Sequence, residues 1–165
     1  GIMTFAAIGL GSNVGDRLGF LRRAVACLEE ANLEVAAKSS VYETPPFGVT
    51  DQPRFLNAAV LVQFEGDAGA LLEELKTIEH RLGRQERGRW GPREIDLDIL
   101  MIPGFTCLEE KLELPHPGMA DRAFVLVPLA EIAPDWIHPI LQAAISTLAE
   151  RFSSEARSFR RIARL

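Results

Sequence analysis

The order of apolar and polar segments predicts an α+β fold in which helices pack on a mainly antiparallel sheet. Strand-like and helix-like segments mix without the regular βαβ rhythm of a doubly wound fold, and helices follow the first and third strands. The second and third strands are separated by a long proline-containing segment, across which they can pair as a hairpin. The pattern is therefore closer to a ferredoxin-like plan than to a doubly wound one.

Short apolar runs bounded by turn residues predict the strands of this sheet. The four main strands are expected at residues 4–10, 33–42, 55–64 and 94–102. A short additional strand is expected at residues 112–114. Two segments, residues 43–54 and 84–93, hold prolines, glycines and charged side chains and are predicted to be loops.

Helical spacing of apolar residues predicts four helices. Asp16 and Asp67 are expected to cap the first two, which end near residue 31 and at Gly83. A third helix is expected at residues 121–132, with Pro128 as a kink or an early stop, and a fourth from about residue 140 to 152.

The C-terminal segment stands out by its charge. Residues 151–165 carry five arginines against one glutamate. We interpret residues 153–165 as a basic, solvent-exposed tail.

Length and composition limit the class of protein. The 165 residues are expected to form one domain, residues 1–165, and 47% hydrophobic with 25% charged residues is ordinary for a globular protein. The net charge of −5 argues against non-specific binding to nucleic acid duplexes. Uncharged runs such as residues 123–130 are too short to cross a membrane, so no membrane association is expected.

The cysteine count and the first residues suggest the setting of the chain. Cys27 and Cys107 show no metal-binding spacing, and Cys27 is predicted to lie on the apolar face of a helix. A reducing, cytoplasmic location is expected. Gly1 and Ile2 are interpreted as a cloning remnant ahead of a native start at Met3.

Asp96 and Asp98 are the first candidate functional pair. Residues two apart on a strand point to the same face, with Cα atoms about 6.5–7 Å apart. Two carboxylates held so close repel each other unless cations lie between them, and hard oxygen ligands suit Mg²⁺. A D-x-D pattern alone is more often a half-solvated edge strand, so the neighbouring loop decides the interpretation.

That loop is rich in arginine. Thirteen residues contain five arginines, opposed within the window by Glu86 alone. They are Arg81, Arg84, Arg87, Arg89 and Arg93. Guanidinium groups match phosphate oxygens, and Trp90 among them suggests an aromatic cover, so loop and carboxylates together predict a polyphosphate site.

Two further segments are weaker candidates. The glycines of residues 9–15 fit neither a dinucleotide-binding fingerprint nor a P-loop, and we interpret them as a structural turn that can line the site. Residues 44–48 form a rigid segment that can present backbone groups to a flat heterocycle. Asn57 lies within an apolar strand, where a buried amide needs partners. Phe55 and Phe124 can stack on a ring, although ordinary core packing explains them as well.

The three histidines offer no catalytic arrangement by spacing. His116 lies between two prolines in a stiff turn, whereas His80 is expected on an exposed helix face and His138 in a turn. No zinc-type spacing and no Ser-His-Asp or Cys-His arrangement can be placed.

A series of motifs, in order along nearly the whole chain, carries a family resemblance. The motifs are Gly11-Ser12-Asn13 and residues 42–48, 51–53, 55–58, 82–84, 89–93, 95–100, 114–117 and 122–126. They resemble the 6-hydroxymethyl-7,8-dihydropterin pyrophosphokinases, enzymes of folate biosynthesis. The block of residues 89–100 is long enough to be specific.

The resemblance implies a reaction and a fold. ATP gives its β,γ-pyrophosphoryl group to the hydroxymethyl group of the pterin, AMP is released, and the fold is a three-layer α/β/α sandwich. The resemblance also implies two Mg²⁺ ions on Asp96 and Asp98. Association with other enzymes of the folate pathway is a further possibility.

Individual site residues follow from the same resemblance. The residues implied for the pterin are Thr44, Pro45, Phe47, Gly48, Phe55, Asn57, Trp90 and Phe124. Those implied near ATP are Arg84, Arg87, Arg93, Lys111, His116 and Arg122, with Lys111 standing where an arginine is common. Arg84, Arg93 and Asp98 are expected to be catalytic, the arginines by neutralising charge on the transferred group.

Two other functions remain open from the residues. A two-metal nucleotidyl transferase or cyclase can use D-x-D on a similar sheet, and its product would be free pyrophosphate rather than AMP. A single-stranded RNA-binding module would need aromatic residues and a basic sheet face, which the carboxylates of the predicted fourth main strand oppose.

Overall fold

The computed structural model describes residues 3–46, 51–85, 87–88 and 91–165. These residues form eight strands, five α-helices and one short 3-10 helix, Met119–Asp121. The strands are β1 (Met3–Ser12), β2 (Glu34–Lys38), β3 (Ser40–Thr44), β4 (Phe55–Glu65), β5 (Asp96–Met101), β6 (Cys107–Leu108), β7 (Glu113–Leu114) and β8 (Arg160–Arg164). The helices are α1 (Arg17–Glu30), α2 (Ala68–Arg81), α3 (Ala123–Ile132), α4 (Ile145–Glu150) and α5 (Ser153–Ala156).

One six-stranded sheet forms the middle layer. Its order is β5-β1-β4-β3-β8, with β2 also paired to β4, and every pairing is antiparallel. β6 and β7 form a separate two-stranded ribbon. The antiparallel sheet and the predicted pairing across residues 43–54 are confirmed, because β3 pairs with β4. The predicted loop begins two residues too early, since β3 extends to Thr44.

Helices cover both faces of this sheet. On one face, Ile8, Leu10 and Val60 pack with Leu28 of α1 and Leu75 of α2. The opposite face is covered by α3 and α4. Ala7, Ala59 and Met101 pack there with Leu126 and Ile145. The alternation of side chains along β1 and β4 thus separates two apolar cores and gives an α/β/α sandwich.

The two predicted helix caps are confirmed. Asp16 accepts a hydrogen bond from the Gly19 N–H at 3.0 Å, and Asp67 accepts one from the Ala70 N–H at 2.7 Å. Gly83 follows the end of α2 with φ +88°, a left-handed conformation that favours glycine. Cys27 is buried on α1, as expected, and both cysteines are free thiols.

The predicted strand at residues 33–42 is wrong as a single strand, since it is broken between β2 and β3. At the break, Ser39 donates its N–H to the Ala59 carbonyl, and its hydroxyl accepts a hydrogen bond from the Ala59 N–H. A side-chain oxygen thus takes the place of a backbone acceptor, and both strands remain paired to β4.

The predicted helix at residues 140–152 is wrong in its first half, because α4 begins only at Ile145. His138 Nδ1 accepts hydrogen bonds from the N–H groups of Ile140 and Leu141, and Gln142 has φ +54°. These groups form a turn.

Pro128 is neither a stop nor a boundary, because α3 continues past it to Ile132.

Most side chains of residues 153–165 are exposed, as expected, but the interpretation of this segment as a tail is wrong. α5 lies within this segment, and β8 pairs with β3 as an edge strand of the main sheet. Ala163 and Leu165 pack against the core on the α1–α2 face, while the arginines of β8 are exposed. Charged side chains are typical of sheet edges, where they oppose further strand pairing. Among the described residues, no helix is long and apolar enough to span a bilayer.

Candidate active site

A cavity of about 380 Å³ opens on the α3 side of the sheet. Its floor is formed by β1, β4 and β5, and one wall by His116, Arg122 and the start of α3. Arg93 and Gly91, from the loop between α2 and β5, line another side. The cavity therefore lies where three strand positions and two loops meet.

Two glycines make room on the floor. In the sheet register, Gly9 lies opposite Asp98, and Gly11 lies between Asp96 on β5 and Asn57 on β4. A Cβ atom on Gly11 would lie 3.0 Å from Asn57 Oδ1. With neighbouring strands about 4.8 Å apart, the Asp96 and Asn57 backbones are separated by roughly 10 Å. The glycines thus leave a trough between carboxylates on one side and an amide on the other.

Asp96 and Asp98 lie side by side on β5 and both line the cavity. Leu97 and Ile99 between and beyond them are buried in the opposite core, as the alternation predicts. Burial, and then the charges of Asp96 and Glu79, raise the pKa of Asp98 above its ordinary value. The two carboxylates therefore repel each other in the absence of a bound cation.

Glu79 is a third acidic group near this pair, and it was not predicted. It is buried, and its Oε2 accepts a hydrogen bond from the Leu97 N–H at 2.7 Å. Burial is the main cause of its raised pKa, and Asp96 contributes. Glu79 lies four residues after Leu75, on the apolar stripe of α2, and an acidic residue at that position was the signal that was available.

The amide side of the trough is built as expected around Asn57. Asn57 Nδ2 donates a hydrogen bond to Thr44 Oγ1 at 2.6 Å, and both residues are buried. This bond fixes the orientation of the amide. Phe55, Phe124 and Pro45 line the cavity with Asn57, whereas Thr44 acts from behind it. The predicted Phe47 and Gly48 lie outside the described residues.

His116 and Arg122 form the cationic and polar wall of the cavity. Burial, and then the charge of Arg122, lower the pKa of His116. Its Nδ1 accepts a hydrogen bond from the Gly118 N–H at 3.2 Å, so a neutral ring carries its proton on Nε2. The Arg122 guanidinium lies against Gly118, where a Cβ would come within 2.6 Å of it.

The arginines of the loop between α2 and β5 do not act as one group. Arg93 lines the cavity, and its guanidinium donates to the carbonyls of Gly88 and Gly91. Arg84 approaches Asp96, with 3.5 Å between Nη2 and Oδ1. Arg87 forms an ion pair with Glu94 and does not line the cavity.

The other four predicted residues do not line the described part of the cavity. Arg81 pairs with Glu30 of α1, at 3.6 Å, away from the cavity. Lys111 is exposed in the turn between β6 and β7 and does not line the cavity. Arg89 and Trp90 lie outside the described residues, so the predicted role of Trp90 stays a prediction.

Asn13 follows β1 directly and belongs to the predicted turn of residues 9–15, but no individual role was predicted for it. It is 1% exposed. Its backbone N–H donates to the Arg93 carbonyl at 2.9 Å, and its Oδ1 accepts from the Arg93 N–H at 2.7 Å. Its Nδ2 donates to Gln52 Oε1 at 2.8 Å and to the Pro53 carbonyl at 3.1 Å. A buried polar residue directly after an apolar strand was the available signal.

These groups form a site with two chemically different ends. Carboxylates and cationic side chains lie at one end, where they suit a phosphate chain with divalent cations. Aromatic rings and a fixed amide lie at the other, where they suit a flat, hydrogen-bonding heterocycle. The trough connects the two ends of the site, so a phosphate chain and a heterocycle can bind next to each other.

Comparisons with known proteins all indicate the same protein family. A model of the 7,8-dihydro-6-hydroxymethylpterin-pyrophosphokinase family matches residues 7–134. A 2-amino-4-hydroxy-6-hydroxymethyldihydropteridine pyrophosphokinase of Methylorubrum extorquens is 51% identical over 136 residues, covering 82% of this chain and 86% of that protein. The Bacillus subtilis protein of the same name is 50% identical over 128 residues, covering 77% of each chain.

Longer relatives contain the same region. A folate synthesis bifunctional protein of Arabidopsis thaliana is 44% identical over 126 residues, which are 76% of this chain and 26% of that protein. The fold is similar to that of Plasmodium falciparum HPPK-DHPS, with a TM-score of 0.75 and 18% identity. That match covers 94% of this chain and 43% of the longer one, so this chain spans less than half of that bifunctional protein.

Proposed function

The chain belongs to the 7,8-dihydro-6-hydroxymethylpterin-pyrophosphokinase family, and we propose that it transfers the β,γ-pyrophosphoryl group of ATP to 6-hydroxymethyl-7,8-dihydropterin in folate biosynthesis. The products are the pterin diphosphate and AMP. The observation that supports this most directly is the trough with Asp96 and Asp98 at one end and Asn57 between aromatic rings at the other.

Asp96 and Asp98 fit two Mg²⁺ ions. Within the part of the chain that the structure describes, no cluster of three or more histidine, cysteine, aspartate or glutamate side chains is arranged to hold a metal ion. A pair suits Mg²⁺, which usually keeps several waters and binds through one or two carboxylates plus phosphate oxygens. Burial is the main cause of the raised pKa of Asp98, and the charges of Asp96 and Glu79 add a negative potential that cations would relieve. When bound, the ions would neutralise phosphate charge and orient the transferred group.

The chain's own residues bind and orient the pterin. Phe55 and Phe124 offer ring faces, and the amide of Asn57, fixed by Thr44, supplies a hydrogen-bonding edge. A fixed amide loses little conformational entropy when a heterocycle binds. The hydroxymethyl group would then lie over the glycine floor toward the carboxylates, where reaction with a phosphorus atom requires little further movement.

Cationic and polar groups stabilise the phosphate chain in the same proposal. Arg93 and Arg122 line the cavity, and His116 offers an Nε2–H as a hydrogen-bond donor. Arg84 approaches Asp96 from outside this wall. Charge stabilisation and positioning account for most of the catalysis of phosphoryl transfer, so the arrangement needs no covalent intermediate. The direct contribution of Arg87 and Lys111 is not supported by their positions outside the cavity lining.

The setting of the enzyme is part of the proposal. A cytoplasmic location is supported by the two free thiols, Cys27 and Cys107. Association with other folate-pathway enzymes is supported by the bifunctional relative from Arabidopsis thaliana, in which the matching region is part of a longer protein.

Product analysis tests the proposed function. The purified chain is incubated with ATP, Mg²⁺ and 6-hydroxymethyl-7,8-dihydropterin, and nucleotides are separated by chromatography. We expect AMP and pterin diphosphate in equal amounts, with no AMP when the pterin is omitted. Release of free pyrophosphate would instead indicate a nucleotidyl transferase or cyclase, and filter retention of single-stranded RNA without turnover would indicate an RNA-binding module.

A further inference from the structure

Asn13 contacts two loops, one through its side-chain amide nitrogen and the other through its backbone N–H and its side-chain oxygen. Its Nδ2 holds Gln52 and Pro53 at the end of the β3–β4 loop, residues 45–54. Its backbone N–H and its Oδ1 hold both backbone polar groups of Arg93 in the α2–β5 loop, residues 82–95. The side chain is buried, and each of its polar atoms has a partner, so its orientation is fixed.

The two loops lead to opposite ends of the trough. Residues 52 and 53 come directly before Phe55 and Asn57, the aromatic and amide end. Arg93 lines the cavity and comes three residues before Asp96, at the carboxylate end. Asn13 therefore holds Arg93, at the carboxylate end, at a fixed distance from the start of β4, at the aromatic and amide end.

We propose that Asn13 is a positioning residue that sets the Arg93 guanidinium relative to the bound pterin. This inference rests on the proposed function and assigns a role to a residue outside the cavity lining. The carbonyl-type oxygen of Asn13 acts on Arg93 and hence on the transfer step. The amide nitrogen acts on the β3–β4 loop and hence on pterin binding. The amide supplies both an acceptor and a donor, whereas a carboxylate has no donor and alanine has neither group.

The two roles are separated by three variants. Asn13→Asp keeps the acceptor for the Arg93 N–H and loses the donor to Gln52 and Pro53. Gln52→Ala removes one partner of that donor and leaves Asn13 intact. For both we expect the KM for the pterin to rise about fivefold to tenfold, as for one lost hydrogen bond, with kcat within about twofold of the parent. Asn13→Ala loses the side-chain contacts to both loops. Its kcat should be about tenfold lower than that of Asn13→Asp.

A double-mutant cycle with Arg93→Ala tests whether Asn13 acts through Arg93. If it does, Asn13→Ala has no guanidinium left to misplace in the Arg93→Ala background. Its effect on kcat should then shrink to within about twofold, whereas a general structural effect would multiply with the loss caused by Arg93→Ala. Thermal unfolding of every variant is measured alongside. Where Asn13→Ala is unfolded, Asn13→Asp and Gln52→Ala carry the test.

The outcomes separate this inference from the proposed function. If the unaltered chain forms no AMP, the proposed function fails, irrespective of Asn13. If it forms AMP and the three variants split kcat from the pterin KM as described, the inference is supported. The inference is overturned if Asn13→Asp and Gln52→Ala leave the pterin KM unchanged. It is also overturned if a folded Asn13→Ala lowers kcat by the same factor with and without Arg93→Ala.

Discussion

At the scale of single residues, Asp96 and Asp98 depend on their neighbours for their properties. β5 is an edge strand, yet burial and the nearby Glu79 raise the pKa of Asp98. Glu79 in turn accepts the Leu97 N–H, which lies between the two aspartates in the chain. Negative charge is thus concentrated on a rigid element, an arrangement that favours divalent cations over a single ammonium group.

Replacing either aspartate by asparagine should remove turnover while leaving pterin binding largely intact. Asp96→Asn and Asp98→Asn each remove one of the two charged ligands that we propose for Mg²⁺, so we expect kcat to fall on the order of 100-fold or more. AMP release measures turnover, and calorimetric titration measures the pterin affinity. Asp135→Asn, at an exposed position, is the control and should stay within about twofold. A loss below tenfold for both site variants would refute the metal assignment.

Thr44 should matter for the pterin although it does not line the cavity. Thr44→Val keeps the side-chain volume and removes the acceptor for Asn57 Nδ2, which frees the amide to rotate. We expect the KM for the pterin to rise about tenfold and the KM for ATP to stay unchanged. Steady-state kinetics with each substrate varied measures both. Thr77→Val, on the exposed face of α2, is the matched control, and an equal effect there would contradict the role of Thr44.

Local periodicity predicts the placement of Asp96 and Asp98, which both line the cavity. Alternation on β5 is sufficient to place Asp96 and Asp98 on one face. The partners of Arg81 and Arg87 were not predictable in this way, because Glu30 comes from α1 and the pairing of Arg87 with Glu94 depends on the path of the loop. Asn13 was missed because its role depends on two segments about 40 and 80 residues further along the chain.

At the scale of elements, the edge strand β8 was the least predictable part of the sheet. The central strands β1 and β4 are long and apolar, and the hydrophobic pattern indicates them directly. β8 consists mostly of arginines, since its backbone is paired but most of its side chains face solvent. Its stability comes from pairing with β3 and from a few apolar contacts, neither of which a charge-rich sequence reveals.

The strand character of β8 predicts an alternating response to substitution. Ala163 lies opposite Val41 and packs against the core, whereas Ile162 is 42% exposed where the register shifts. Ala163→Asp places a charge against apolar neighbours and should lower the free energy of unfolding by roughly 2 kcal/mol. Ile162→Asp, with the same charge one residue earlier, should change it by about 0.5 kcal/mol or less. Urea unfolding measures both, and equal effects would contradict the assigned faces.

At the scale of the whole molecule, the site forms because the antiparallel order brings distant segments together. β5 and β4 are neighbours of the same strand, β1, so the predicted pyrophosphate and pterin ends face each other across its glycines. The layered fold was predictable from the order of strands and helices. The trough was not, because it depends on which residues of β1 lie in register with Asp96 and Asn57. β1 packs against an apolar core on each face, so its hydrophobic pattern does not distinguish one register from the next.

A hydrogen-bond network around Glu131 connects α3 with the edge of the sheet and predicts a pH dependence of stability. Glu131 of α3 accepts hydrogen bonds from the Ser40 N–H, the Ser40 hydroxyl and the Tyr42 hydroxyl, and Arg161 of β8 donates to that same tyrosine. Burial alone would raise the pKa of Glu131, but these hydrogen bonds outweigh it and lower the pKa below its ordinary 4.5. Burial raises the pKa of Tyr42, which keeps the hydroxyl protonated as a donor.

Because the folded state holds Glu131 deprotonated to a lower pH than the unfolded state does, its contribution to stability is present above pH 4.5. It is lost as the pH falls through the lower, folded-state pKa. Glu131→Gln should cost about 1 kcal/mol at neutral pH, and the difference from the parent should shrink toward zero in acid. Urea unfolding of both chains from pH 7 to pH 3 measures that difference. A difference that stays constant or grows toward pH 3 would show that the carboxylate does not join α3 to the sheet in this way.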